Sequence, residues 1–196
     1  MATAAAFLLT ASMAQGALVD YSTEGRFNAQ AFAGTNSISF GSSTLSFMGI
    51  NSGGPGVNTP TNGSLGTFQL TSGGSGAGDT LNGTFDLRIT QTTPGPTSTA
   101  NLAATLGGTV TANSSTGTVL FNTTSVTING IKYDVASADF GLTGRVALVA
   151  PNTNNGMTTV QAAITGGAVP EPSTYALLGG GLVSLISIAR RRRRNA

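Results

Sequence analysis

Residues 124–135, TSVTINGIKYDV, constrain the fold more tightly than any other part of the chain. Asn129-Gly130 at their centre is a preferred pair for a two-residue type I′ turn, in which both residues take a positive φ that most side chains resist. Such a turn fixes the register of its flanks. Ile128 stands opposite Ile131, Thr127 opposite Lys132, Val126 opposite Tyr133 and Ser125 opposite Asp134. Val126, Ile128, Ile131 and Tyr133 then share one face, and Ser125, Thr127, Lys132 and Asp134 share the other. A slip of one residue would scatter the apolar set over both faces, so turn and pattern agree on one antiparallel hairpin.

The same period of two recurs elsewhere, bounded by Gly and Asn, and no segment of the central region carries a 3.6-residue apolar period. GTFDLRITQ (83–91) sets Phe85, Leu87 and Ile89 against Thr84, Asp86, Arg88 and Thr90, and STLSFMG (43–49) does the same with Leu45 and Phe47. Further strands are expected at 38–40, 67–70, 108–112, 118–121, 145–149 and 158–165, rich in Thr and Val as a pleated, half-buried surface favours. About ten short strands without helices between them imply an all-β fold, an antiparallel β-sandwich of Greek-key or jelly-roll-like type. A β-solenoid is the runner-up, and the lack of a constant repeat period counts against it. Loops rich in Gly, Pro and Asn are expected at 51–64, 72–79, 93–99 and 150–156.

The chain has no His, no Cys and no Trp. Without His the usual general base, the Ser-His-Asp relay and most transition-metal sites are gone; without Cys there is neither a disulfide nor a thiolate site. A carboxylate pair of the glycosidase kind would have to come from Asp134 and Asp139, joined in space by Glu24 or Asp86. Solvated charges on strand faces account for these residues more simply, with Asp86 beside Arg88 and Lys132 beside Asp134 as same-face pairs. Calcium needs several oxygen ligands close together, and SGGSGAGD (72–79) supplies one carboxylate. No catalytic residue, cofactor or metal ligand is therefore expected. Residues 17–168 hold Arg26, Arg88, Lys132 and Arg145 against six carboxylates, a net of −2, which leaves no electrostatic footprint for nucleic acid. Solubility has to rest on Thr, Ser, Asn and Gly, groups equally compatible with polysaccharide. Tyr21, Tyr133 and Tyr175 are the only tyrosines, so aromatic platforms for sugars are scarce.

The remaining five cations, Arg190, Arg191, Arg192, Arg193 and Arg194, form one run near the carboxyl end. They follow 17 residues, 173–189, with no charged side chain, the lower limit for crossing a hydrocarbon core of about 30 Å. The tract is apolar all round, and an arginine cluster just past a span fixes that end on the cytoplasmic side. Immediately ahead stands VPEP, in which Pro170 and Pro172 keep the backbone extended around Glu171 as an accessible peptide. A permanent single-pass anchor is the strongest competing account of the tract. In the order of its three parts (Pro-Glu-Pro, short apolar helix, arginine cluster) this end closely resembles the PEP-CTERM sorting signal of bacteria that assemble exopolysaccharide. The resemblance implies recognition and processing by an exosortase, with Pro170, Glu171 and Pro172 as the recognition residues and the inner membrane as at least a transient partner.

The amino end is expected to match. Residues 2–14 form an apolar run, and Ala14-Gln15-Gly16 resembles a small-residue cleavage site. No Lys or Arg precedes the run, as expected if the start codon is assigned too late. The expected organisation is a signal peptide over 1–16, a β-sandwich domain over 17–161, a linker over 162–169 and the sorting signal over 170–196, with its transmembrane helix at 173–189. The expected function is that of a non-catalytic envelope or extracellular-matrix protein, acting by adhesion or association with exopolysaccharide. The alternative is a module that binds a glycan or small ligand in its long loops.

Overall fold

A computed structural model describes residues 16–51, 56–72, 78–135 and 144–166. In chain order the strands are β1 (Leu18–Phe27), β2 (Thr35–Phe40), β3 (Ser43–Met48), β4 (Val57–Asn58) and β5 (Thr61–Ser72). There follow β6 (Asp79–Thr80), β7 (Gly83–Thr93), β8 (Ser98–Gly107), β9 (Thr109–Val110) and β10 (Thr118–Phe121). The last four are β11 (Ser125–Ile128), β12 (Ile131–Asp134), β13 (Arg145–Ala147) and β14 (Met157–Gly166). The fold is all-β with antiparallel sheets. One six-stranded sheet runs β13-β10-β8-β7-β1-β4, a second runs β11-β12-β14-β5-β3-β2, and β6 pairs with β9. Residues Ala17–Gly167 cluster by their own contacts as one unit.

Alternation builds the core. Phe85, Leu87 and Ile89 of β7, Leu45 and Phe47 of β3, and Val160, Ala162 and Ile164 of β14 are all fully buried, and both sheets contribute to one apolar cluster. At its centre the rings of Phe47 and Phe68, from the second sheet, meet Phe85, from the first, at centroid distances of 5.0 and 4.9 Å. Each such ring contributes about 1.5–3 kcal/mol by leaving water. The hairpin of β11 and β12 has the register its Asn-Gly turn dictates, Ile128↔Ile131 through Ser125↔Asp134, with Asn129 at φ 47° and Gly130 at φ 80°.

Four expectations need correction. First, β1 lies in a segment for which no strand was expected, although it pairs with β7 over most of its length. Its inward positions include Thr23 and Gly25, which break the apolar alternation. A Cβ on Gly25 would overlap the rings of Phe47 and Phe85, so the crowded centre of the core excludes any side chain there. Second, the segment expected to loop over 51–64 holds β4 and the start of β5. β5 carries a bulge: Val160 pairs with Gly66 and Gln161 with Ser64, which leaves Leu65 as the extra residue. The inward phase therefore shifts from Gly63 and Leu65 to Phe68 and Leu70, and no single alternation spans the strand. Third, β14 runs to Gly166, one residue past the strand expected over 158–165, so residues 162–166 are sheet and not the linker expected over 162–169: Ala162 and Ile164 are core residues, and Ile164 pairs with both β5 and β12. Fourth, the expected strand at 108–112 is reduced to the two residues of β9.

On the outward face of the second sheet the ladder lines up Thr35 with Met48, Thr67 and Thr159. The next row aligns Ser37 with Ser46, Gln69 and Met157.

Candidate functional site

Pro170, Glu171 and Pro172, the span 173–189, the five arginines 190–194, the leader 1–15 and Asp139 all lie outside the described residues. Among the described residues no helix is long and apolar enough to cross a membrane.

Of the candidate carboxylates, the three among the described residues, Glu24, Asp86 and Asp134, are each held by a partner. On the outward face of β1 and β7, Glu24 stands opposite Arg88 and Arg26 opposite Asp86. Arg26 Nε donates to Asp86 Oδ2 at 2.8 Å, and Arg88 donates through Nε, at 2.9 Å, and Nη2 to Glu24 Oε2. Asp86 and Arg88 do share a face, as expected, but each pairs across the strand boundary rather than along β7, because directly opposed residues are closer than neighbours two apart. The half-buried Phe32, from the β1–β2 connection, lies with its ring centroid 4.4 Å from the guanidinium carbons of both Arg26 and Arg88. The result is a neutral lattice of two cations and two anions that pins the connection to the sheet. Partly exposed pairs of this kind stabilise by only about 0–1 kcal/mol each. Lys132 and Asp134 pair along β12 at 2.6 Å, as expected.

Asp79 is the one carboxylate of the 72–79 loop. It accepts from Ser42 N (3.1 Å), Ser42 Oγ (2.9 Å) and Ser43 Oγ (2.6 Å), closing the β2–β3 turn. The Ser43 hydroxyl first, then that of Ser42, holds the carboxyl below its ordinary value. Among the described residues no group of three or more His, Cys, Asp or Glu could hold a metal ion.

Neither described tyrosine offers a sugar platform. Tyr21 and Tyr133 are buried, with their rings 5.6 Å apart edge to face. Tyr21 donates to Ser64 O at 2.7 Å, and Tyr133 to Gln91 Oε1 at 2.9 Å. Burial pushes the Tyr21 hydroxyl up to about 12 and raises that of Tyr133 as well. Gln91, itself buried, donates to Pro94 O in the β7–β8 turn. Asn129 of the hairpin donates to Pro94 O and Pro96 O, so the turns of the two sheets are tied together.

Beside β1 lies an open depression of ≈ 260 Å³ lined by Ser22, Thr23, Glu24, Gly34, Ile50 and Asn51. Its volume lies just under the about 300–1,000 Å³ typical of pockets that enclose a small molecule. Sequence reasoning missed Phe32 and the role of Asp79, and only a lone aromatic in AQAFAGT hinted at the first. The Asp79–Ser42 contact spans 37 positions, which no local pattern encodes.

The family model of the PEP-CTERM protein-sorting motif matches residues 168–194. No curated protein and no solved structure matches the chain. The chain thus carries the sorting motif, which implies an exported, exosortase-targeted protein processed in association with the membrane and sent toward the cell surface.

Proposed function

We propose that the protein is a non-catalytic component of the cell envelope or extracellular matrix, delivered by its sorting signal and acting by adhesion or association with exopolysaccharide. The observation that carries this reading is the sorting-motif match at 168–194, which lies just beyond a sheet domain with no His in its sequence and no carboxylate pair free for catalysis among the described residues. Pro170, Glu171 and Pro172 are the residues the exosortase reads, and Arg190–Arg194 fix the tail on the cytoplasmic side of the inner membrane. The unit is bounded by a signal peptide ahead and the sorting signal behind. Its two sheets form a β-sandwich, a reading supported by the contact of Phe85 with Phe47 and Phe68 across them.

Cell fractionation tests the proposal. Replacing Pro170, Glu171 and Pro172 together with Ala, or deleting residues 190–194, is expected to hold the protein at the inner membrane and to empty the surface and matrix fractions. Arrival of both variants at the surface in wild-type amounts would contradict it.

A further inference from the structure

The two sheets present very different outward faces. That of the first sheet carries Glu24, Arg26, Asp86 and Arg88 in its ion-pair lattice. The outward face of β2, β3, β5 and β14 carries no charged side chain; the second sheet's outward charges are Lys132 and Asp134, paired with each other on β12. Its two aligned rows mix hydroxyls and an amide with the exposed thioethers of Met48 and Met157. Ser39 and Thr44 hydrogen-bond each other, but among the described residues the side chains of Ser46, Thr67, Gln69 and Thr159 have no protein partner. Among the described residues, donors, acceptors and methyl groups therefore stand together without a protein partner, on a strand lattice about 4.8 Å by 6.8 Å in spacing.

We propose that this face binds an uncharged polysaccharide, the sugar C–H surfaces packing on the Thr and Met methyl groups and the sugar hydroxyls bonding Ser46, Thr67, Gln69 and Thr159. The inference rests on the exopolysaccharide reading above and gives it a surface and a ligand class. Two arguments select the occupant. The four strands span roughly 19 Å and the aligned stretch roughly 17 Å, about 300 Å², well short of the ~800 Å² per partner that a stable protein interface buries. A repeating polymer escapes that limit, since several copies of the face can engage one strand and their small contacts add. A polyanion, in turn, would find no cation on the face to pair with, and a neutral chain requires no ion to be stripped of water.

Co-sedimentation of the protein, purified from whichever fraction holds it, with amorphous cellulose as the neutral probe and alginate as the anionic one tests the proposal. Retention on cellulose is expected to survive about 1 M salt, where the screening length is only ~3 Å. Ser46→Glu combined with Gln69→Glu should lower it about tenfold or more, because a buried carboxylate lacks a partner there. Thr105→Glu, on the outward face of β8, should leave it unchanged. Thr159→Glu alone supplies the same reading if the double variant does not fold. No retention of the wild type on cellulose, salt-sensitive retention on alginate alone, or wild-type retention by the folded variants would overturn the proposal. Any of these alongside normal arrival at the cell surface defeats the neutral-ligand face and leaves the sorting reading standing. Failure to arrive defeats the latter whatever binds.

Discussion

At the scale of single residues, two polar side chains, those of Thr23 and Asp79, hold loops in place. Thr23 is buried on β1, where its hydroxyl donates to Leu65 O and accepts from Ile50 N, both at 2.7 Å. It thereby fastens the bulged strand β5 and the segment after β3 to the first sheet. Asp79 does the same for the β2–β3 turn, with a consequence for pH. Its folded carboxyl titrates below the ordinary 3.8, so as pH falls the unfolded chain takes up the proton first. The contribution of Asp79 is then complete above that ordinary value and fades as pH drops through the lower folded one. A titration of the Ser42 amide resonance should show a midpoint below 3.8, and Asp79→Asn should abolish the transition; a midpoint at or above 3.8 would contradict the clamp. Little of this was legible beforehand. A carboxylate and the serines it holds are far apart in sequence, and a Thr on an inward face reads as an outward one.

At the scale of elements, legibility tracked how purely each strand alternates. The β11–β12 hairpin was readable to the residue, since Asn129-Gly130 sets the register and all four apolar side chains agree with it. β7 was readable for the same reason, with Phe85, Leu87 and Ile89 on one face. β1 was invisible because two of its inward positions are not apolar: Gly25 faces the crowded aromatic centre, which leaves no room for a side chain, and Thr23 is held by Leu65 O and Ile50 N. β8 was invisible because Ala100, Ala103 and Ala104 put small apolar residues on both faces. The hairpin also carries the tie to the β7–β8 turn. Asn129→Asp keeps a residue tolerant of positive φ but sets a carboxylate against the carbonyls of Pro94 and Pro96. It should cost about 1–2 kcal/mol, read as a lower urea midpoint with an unchanged slope. An unchanged midpoint would show that the two turns stand independently.

For the whole molecule, the separation of roles explains the composition. The charges that give the chain its formal +2 are concentrated in the arginine run, and residues 17–168 are left with a net of −2. The sorting motif matched at 168–194 was legible because its parts are local and ordered, and the all-β class because period two dominates. Which strands adjoin was not legible, since β1 beside β7 and β5 beside β14 are chosen by the shared core rather than by any turn between them. The central claim is that both ends are removed or read at a membrane and the sheet unit between them does the work. Terminal mass spectrometry of the protein recovered from the cell surface or matrix tests this most directly. The expected result is an amino terminus near Ala17 or Leu18 and a carboxyl terminus lying ahead of residues 173–189. Recovery there of the chain still running unbroken from Met1 to Ala196 would contradict it.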